Sequence, residues 1–213
     1  MVAAGILISG AGTNLQAILD RVAAGRLDCS IRLVLSNRPG VAGLARAEDA
    51  RVPTTVIDHK SFGSREAFDT AVVGALREAG VELVVLAGFD RLLSPVLIGA
   101  FPGRIMNIHP ALLPAFKGLH AQRQALDYGV KIAGATVHFV DEHLDHGPII
   151  IQGAVALGPD ETEESVRERI LQVEHDIYPT AIQLFAEGRL RIDGRRVRVE
   201  GRRDGDNAPI IQW

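Results

Sequence analysis

The tetrapeptide Asn107-Ile108-His109-Pro110 and the segment Leu144-Asp145-His146-Gly147-Pro148 bring together an amide, an imidazole and a carboxylate. Each segment follows an apolar run, which places each at the end of a buried strand. These groups can donate to an oxyanion and move a proton without a metal or a covalent intermediate. Strand periodicity sets Asn107 and His109 on one face. A carboxylate near the His109 ring would favour the imidazolium, which could then donate beside the Asn107 amide. Other readings stay open at this level. His109 could be a buried, hydrogen-bonded structural histidine, and Asp145 could begin an Asx-type turn over Asp145-His146-Gly147. His138, His143 and His146 with Asp141 and Asp145 also have zinc-ligand chemistry. The histidines lack the i, i+4 spacing of a helical metal motif, however, so no metal site is expected.

A second constellation is Ser9-Gly10-Ala11-Gly12-Thr13-Asn14-Leu15, between the first apolar run and the first helical pattern. Free backbone N–H groups at a helix start, among small residues, suit a phosphate. Leu15 stands where a dinucleotide fingerprint needs its third glycine, and the lysine of a P-loop is missing. The loop therefore fits a monophosphate, with Thr13 and Asn14 adding side-chain donors, or else serves only as a tight turn.

These groups need elements to position them. Strands are expected at Gly5–Ser9, Ile31–Ser36, Thr54–Ile57, Leu83–Ala87 and Ile105–His109. Helices are expected at 14–24, 43–51 and 64–79, with Ser64 as an N-cap and Pro95 opening a short helix. This alternation predicts an α/β, doubly wound, mostly parallel sheet with ligands at the strand C-termini. The second half changes character. A helix at 122–128 precedes strands at 133–140 and 148–155, which a polar turn joins as an antiparallel pair. A long helix over 163–187 follows, capped by Thr162 and kinked or divided at Pro179. Asp193-Gly194 marks a hairpin turn, and residues 201–213 read as a loose tail.

Bulk composition narrows the function classes. The net charge of −3 gives no global basic field for nucleic acid, and the C-terminal arginines are interspersed with acids. The single cysteine, Cys29, cannot form a disulfide within the chain and favours a reducing compartment. No signal peptide and no membrane span are recognised, so the expected setting is cytoplasmic.

Taken together the motifs resemble the folate-dependent formyltransferases over about residues 4 to 200. The resemblance rests on Leu7 to Leu15, on Leu86-Ala87-Gly88-Phe89 with Arg91-Leu92-Leu93, and on Asn107 to Pro110. It continues through Gly134 to Val140, Leu144 to Pro148, and Glu174-His175 with Ile177-Tyr178-Pro179. The Gly-Thr-Asn loop resembles the branch whose acceptor is glycinamide ribonucleotide. The resemblance implies a Rossmann-like formyltransferase domain over 1–200, with a phosphate-binding half to about 109 and a folate and catalytic half from 110. It implies His109 as catalytic acid, Asp145 as the carboxylate that favours its charged form and positions water, and Asn107 as holder of the formyl oxygen. Gly12, Thr13 and Asn14 would bind the substrate phosphate, and Glu174 the ribose or glycinamide part. Arg65, Asp90, Arg91, Leu92 and Leu93, with Asn107 and the segment Val140, Asp141 to Asp145, would form the site for 10-formyltetrahydrofolate, the co-substrate. Asp90, Ala111, Lys117 and His146 depart from the residues frequent in the family, and Asp90 bears on the folate rim. The expected partners are small molecules only, without nucleic acid or membrane, and the chain is expected to be a monomer or homodimer. Among relatives, a hydrolase carrying an extra N-terminal domain and a tRNA formyltransferase carrying an extra C-terminal one fit the chain's ends less well. Readings outside the family are a non-catalytic nucleotide-binding module and a metal hydrolase.

Overall fold

The computed structural model describes residues 1–201 and 210–212, and the chain divides into two compact units, Met1–Asn107 and Ile108–Trp213. In the first unit, five parallel strands take the order β3-β2-β1-β4-β5. They are β1 (Val2–Ile8), β2 (Cys29–Ser36), β3 (Thr54–Val56), β4 (Leu83–Leu86) and β5 (Ile105–His109), with the unit boundary falling inside β5. Ile6, Leu7, Ile8, Val34, Leu35, Leu83, Val84 and Val85 are all buried, as both-sided cover of a parallel sheet requires. Helices α1 (Thr13–Ala23) and α2 (Ala42–Asp49) are neighbours. So are α3 (Arg65–Glu78) and α4 (Pro95–Ala100). Right-handed crossovers that run outward from β1 to β3 and then return to β4 put these pairs on opposite faces of the sheet. The strand order therefore reverses between β1 and β4, at the switch point where open α/β sheets leave a crevice.

Local chemistry sets the element ends. Ser64 caps α3 by accepting from the Ala67 amide at 3.1 Å, as the sequence predicts. Its Leu76 and Phe68 pack in the core, while α1 buries Leu15, Ile18 and Leu19. Cys29 is buried at the start of β2, and desolvation pushes its thiol up to about 11.

The second unit contains α5 (Ala121–Tyr128), the antiparallel pair β6 (Ile132–Phe139) and β7 (Ile149–Ala156), and α6 (Glu163–Ala186). It ends in the hairpin β8 (Leu190–Asp193) and β9 (Arg196–Val199), with β9 against β7. Helix α6 packs on β6 and β7 through buried Val166, Ile170, Val173, Ile177, Ala181 and Ile182. Its Thr162 cap forms a reciprocal box with Ser165.

Three expectations need correction. Of the two outcomes expected at Pro179, a kink or a division, the division does not occur, since α6 runs unbroken from Glu163 to Ala186. Proline removes one backbone donor, but Tyr178, Pro179 and Ala181 are buried, and the Thr180 hydroxyl donates to the Asp176 carbonyl at 2.7 Å. The hairpin loop is Gly194-Arg195, since Asp193 already pairs with Arg196. Gly194 has φ +58 at the first central position, the place a II′ turn reserves for glycine. The tail is not wholly loose, because Ile210–Gln212 forms β10, parallel to β7 at Gly153 to Val155. Among the described residues β9 pairs with β7 at Ile149 alone, which leaves backbone groups further along that edge for β10. The rest of the expected tail, residues 202–209 and 213, lies outside the described residues.

Candidate active site

His109 ends β5 and is buried, and each of its ring nitrogens faces an acceptor. Nε2 lies 2.8 Å from the Phe116 carbonyl, and Nδ1 lies 3.4 Å from Asp145 Oδ2. Either ring nitrogen, when it carries the proton, can donate to its partner. Asp145 lies in the turn between β6 and β7 with φ +44, a left-handed conformation that Asp tolerates better than most residues. Its Oδ2 also accepts the Gly118 amide at 2.8 Å. The Asx turn in this loop belongs to Asp141 instead, whose Oδ1 accepts the His143 amide at 2.9 Å. That frees the Asp145 carboxylate to face His109. Gly147 closes the neck of the loop, because a Cβ there would run into the Phe139 carbonyl.

The loop from Pro110 to His120 is held by buried polar contacts. Thr136 Oγ1 donates to the Ala111 carbonyl at 2.7 Å and accepts the Leu113 amide at 3.0 Å, and Gln152 donates to the Leu113 carbonyl at 3.0 Å. These bonds fix the start of the segment whose later residues, Phe116 and Gly118, reach His109 and Asp145. Sequence reasoning missed both backbone partners, since a carbonyl or amide leaves no residue-type signal. It also left His138 unplaced. That ring is buried on β6, with Nε2 3.9 Å from Asp145 Oδ1. His120 sits elsewhere, exposed at the N-cap of α5 with φ +59.

In the first unit, the glycine loop lies at the switch point. Gly12 is the N-cap of α1 in a left-handed conformation, with no side-chain cap bond, and Thr13 and Asn14 open the helix. The loop packs directly on α2. The Gly43 amide donates to the Gly10 carbonyl at 3.0 Å, and a Cβ on Gly12 would come within 2.6 Å of Gly43 Cα. Arg46 of α2, 35 residues on, donates to the Ala11 carbonyl at 2.9 Å and brings a cation to the loop that no sequence motif marks.

The loop after β4 carries Asp90 to Leu93 across the same switch point. The Ser9 amide donates to the Gly88 carbonyl and the Asp90 amide to Ser9 Oγ, both at 2.9 Å, joining the two loops. Asp90 pairs with Arg38, and Asn37 donates to its Oδ1 at 3.1 Å. Partial burial raises the Asp90 carboxyl, but the Ser9 and Asn37 hydrogen bonds and the Arg38 charge outweigh it and hold the group below the usual carboxylate range. The guanidinium of Arg91 lies 6.0 Å from the centre of the Phe68 ring, Leu92 is exposed and Leu93 half-buried. Arg65 begins α3, exposed beside Glu66 at 3.7 Å. Asn107 shares β5 with His109 and is half-buried, Glu174 is buried within α6, and Val140 and Asp141 open the loop that holds Asp145. The structure thus brings His109 and Asp145 together in one unit, and the glycine loop and Asp90 together in the other.

The first unit is an open α/β sheet with a glycine loop at its switch point, and the second holds a buried imidazole–carboxylate pair at a strand end, groups suited to anion binding and proton transfer. Residues 4–182 match the formyl transferase family, and the chain belongs to it. It is 41% identical to the phosphoribosylglycinamide formyltransferase of Escherichia coli over 198 residues, 93% of each chain. It is also 48% identical over 185 residues to the trifunctional purine biosynthetic protein adenosine-3 of Drosophila melanogaster. The chain spans only 14% to 19% of the length of such trifunctional relatives. Among solved structures it resembles glycinamide ribonucleotide transformylase 1 from Symbiobacterium toebii. The TM-score is 0.92 at 55% identity, covering 93% of this chain and 94% of that one.

Proposed function

We propose that the chain transfers the formyl group of 10-formyltetrahydrofolate to the amine of 5'-phosphoribosylglycinamide, giving formylglycinamide ribonucleotide and tetrahydrofolate in de novo purine biosynthesis. The observation that carries this reading is the buried His109–Asp145 pair in a chain of the formyl transferase family. The acceptor amine adds to the formyl carbon, and the carbonyl oxygen becomes an oxyanion. Asn107 and the His109 ring N–H donate to it. Collapse breaks the bond from the formyl carbon to the folate nitrogen, which takes a proton while the acceptor nitrogen releases one. His109 is the group that handles this proton, and Asp145, anchored by the Gly118 amide, orients the ring. Because His109 Nε2 faces the Phe116 carbonyl, that oxygen occupies the acceptor position which substrate would take over.

Gly12, Thr13 and Asn14 bind the substrate phosphate, supported by the left-handed Gly12 and the nearby Arg46 cation. Glu174 meets the ribose or glycinamide part. Arg65, Asp90 to Leu93, Asn107, Val140, Asp141 and Asp145 form the folate site. No metal takes part in this reaction, the partners are small molecules, the chain works as a monomer or homodimer, and its setting is the cytoplasm.

The test is release of tetrahydrofolate from 10-formyltetrahydrofolate with and without 5'-phosphoribosylglycinamide. Strict dependence on the acceptor is expected; deformylation at equal rate without it would make the chain a hydrolase. Loss of one oxyanion donor typically costs about 10²–10³ in rate, so His109→Ala should lower turnover at least that far while folate still binds. A His109→Ala chain with ordinary turnover would sink the assignment.

A further inference from the structure

We propose that Asp141, His143 and His146 form a binding site for one divalent transition metal ion, zinc being the best fit, on the solvent side of the loop that carries Asp145. One ligand atom from each residue lies within 4.8 Å of the other two. Ligand atoms held about 2.0–2.2 Å from a tetrahedral zinc ion sit roughly 3.3–3.5 Å apart. His146 Nδ1 and Asp141 Oδ2 are 2.8 Å apart in a hydrogen bond whose proton the metal ion would replace, and His143 Nδ1 lies 3.8 Å from Asp141 Oδ1. The two imidazole rings are 5.0 Å apart and tilted by 58°. The Asx turn at Asp141 and the close approach at Gly147 fix the course of the loop. Two imidazoles and one carboxylate suit zinc, nickel or copper rather than magnesium or calcium. A turn rather than a helix assembles the three ligands, which is why helical spacing in the sequence does not reveal them.

Arg195, at the tip of the β8–β9 hairpin, is the competing cation. Its Nη1 lies 3.2 Å and 3.0 Å from the two ring nitrogens of His146, and its Nη2 donates to the His146 carbonyl at 2.7 Å. The metal must displace this exposed guanidinium from the ring. His143 and His146 flank Leu144-Asp145, so an occupied site fixes the chain on both sides of Asp145. This inference does not depend on the formyl-transfer reading.

The test is calorimetric titration of zinc sulfate into the metal-free full chain. One equivalent per chain is expected, with weaker binding in mild acid because the ligating imidazoles must be neutral. Losing an outer-shell partner of a metal ligand already costs roughly 10–100-fold in affinity, so His143→Ala and His146→Ala should each weaken binding at least that much. Asp141→Asn can keep the Asx turn while losing the charge, and it should also bind more weakly. Arg195→Ala should bind zinc more tightly than the parent chain. Zinc should raise the unfolding temperature of the parent and not that of His143→Ala, whose side chain is 73% exposed and whose replacement disturbs no core. Absence of binding at millimolar zinc, or equal binding by the parent and all three ligand variants, would overturn the proposal.

Discussion

Asp145 faces two imidazoles and treats them differently. His109 Nδ1 lies 3.4 Å from Oδ2, whereas His138 Nε2 stands 3.9 Å from Oδ1, beyond hydrogen-bond range. His138 turns its Nδ1 to the Phe139 carbonyl at 2.8 Å, which leaves the nitrogen facing Asp145 unprotonated when the ring is neutral. Burial lowers its pKa below the ordinary histidine value, and it outweighs the Phe139 bond and the Asp145 charge, which act the other way. In the unfolded chain the same ring takes up a proton as the pH falls through about 6.5. The folded state then binds fewer protons than the unfolded one. The stability this group contributes is therefore fully present above about pH 6.5 and is lost as the pH falls from there toward the depressed folded value. Unfolding temperatures measured from about pH 7.5 down to pH 5 should fall less steeply for His138→Asn than for the parent. Parallel profiles would show that His138 titrates alike in both states. The same residues show what could be read in advance. Asn107, His109 and Asp145 are legible as candidates because an amide, an imidazole and a carboxylate are the residue types suited to oxyanion and proton chemistry. The Phe116 carbonyl and the Gly118 amide do not, because every residue has such groups and only the fold turns these two inward.

Among the elements, the junction from β1 to α1 depends most on one residue type. Gly12 combines φ +70 with a backbone neighbour, Gly43 Cα, 2.6 Å from where a Cβ would stand. Gly25, at the other end of α1, has φ +64 with nothing within 4 Å of its Cβ position. Gly25→Ala should cost only the left-handed conformation, about 1–2 kcal/mol. Gly12→Ala should cost that and the displacement of α2 from the loop as well. Denaturant unfolding should rank the two variants in that order. Only Gly12→Ala should also raise the KM for 5'-phosphoribosylglycinamide, and equal losses with an unchanged KM would remove the loop from the substrate site. Most elements of this kind were legible from the sequence. Leu83 to Leu86 reads as a doubly covered strand because it is wholly aliphatic, and Ser64 reads as a cap because its hydroxyl can accept an orphan amide. Pro179 misleads because local propensity predicts a break, while the buried face of α6 holds the helix through it. β10 was missed for the opposite reason. Three residues carry too little periodicity to register, and their pairing depends on an edge of β7 left open by a strand distant in sequence.

At the scale of the whole molecule, that edge ties the chain's last described residues to its second unit. No helix among the described residues is long and apolar enough to cross a membrane. An open edge is a row of unpaired donors and acceptors and a template for pairing with another chain. β10 covers β7 at Gly153, Ala154 and Val155, just beyond the point where β9 leaves it. A chain ending at Gly201 would uncover those groups. With three residues paired, about two backbone bonds at about 0.5–1.5 kcal/mol each put the loss at roughly 1–3 kcal/mol. For a chain of this length, that lowers the unfolding temperature by about 2–12 °C. None of the residues proposed for the site lies beyond Glu174, so turnover of the truncated chain should stay near that of the parent below its unfolding temperature. Its light scattering should rise with protein concentration as bare β7 edges meet. A truncated chain as stable and as dispersed as the parent would mean that β10 neither stabilises nor shields the sheet. A truncated chain that stays folded but loses formyl transfer would instead bring the C-terminal residues into the reaction.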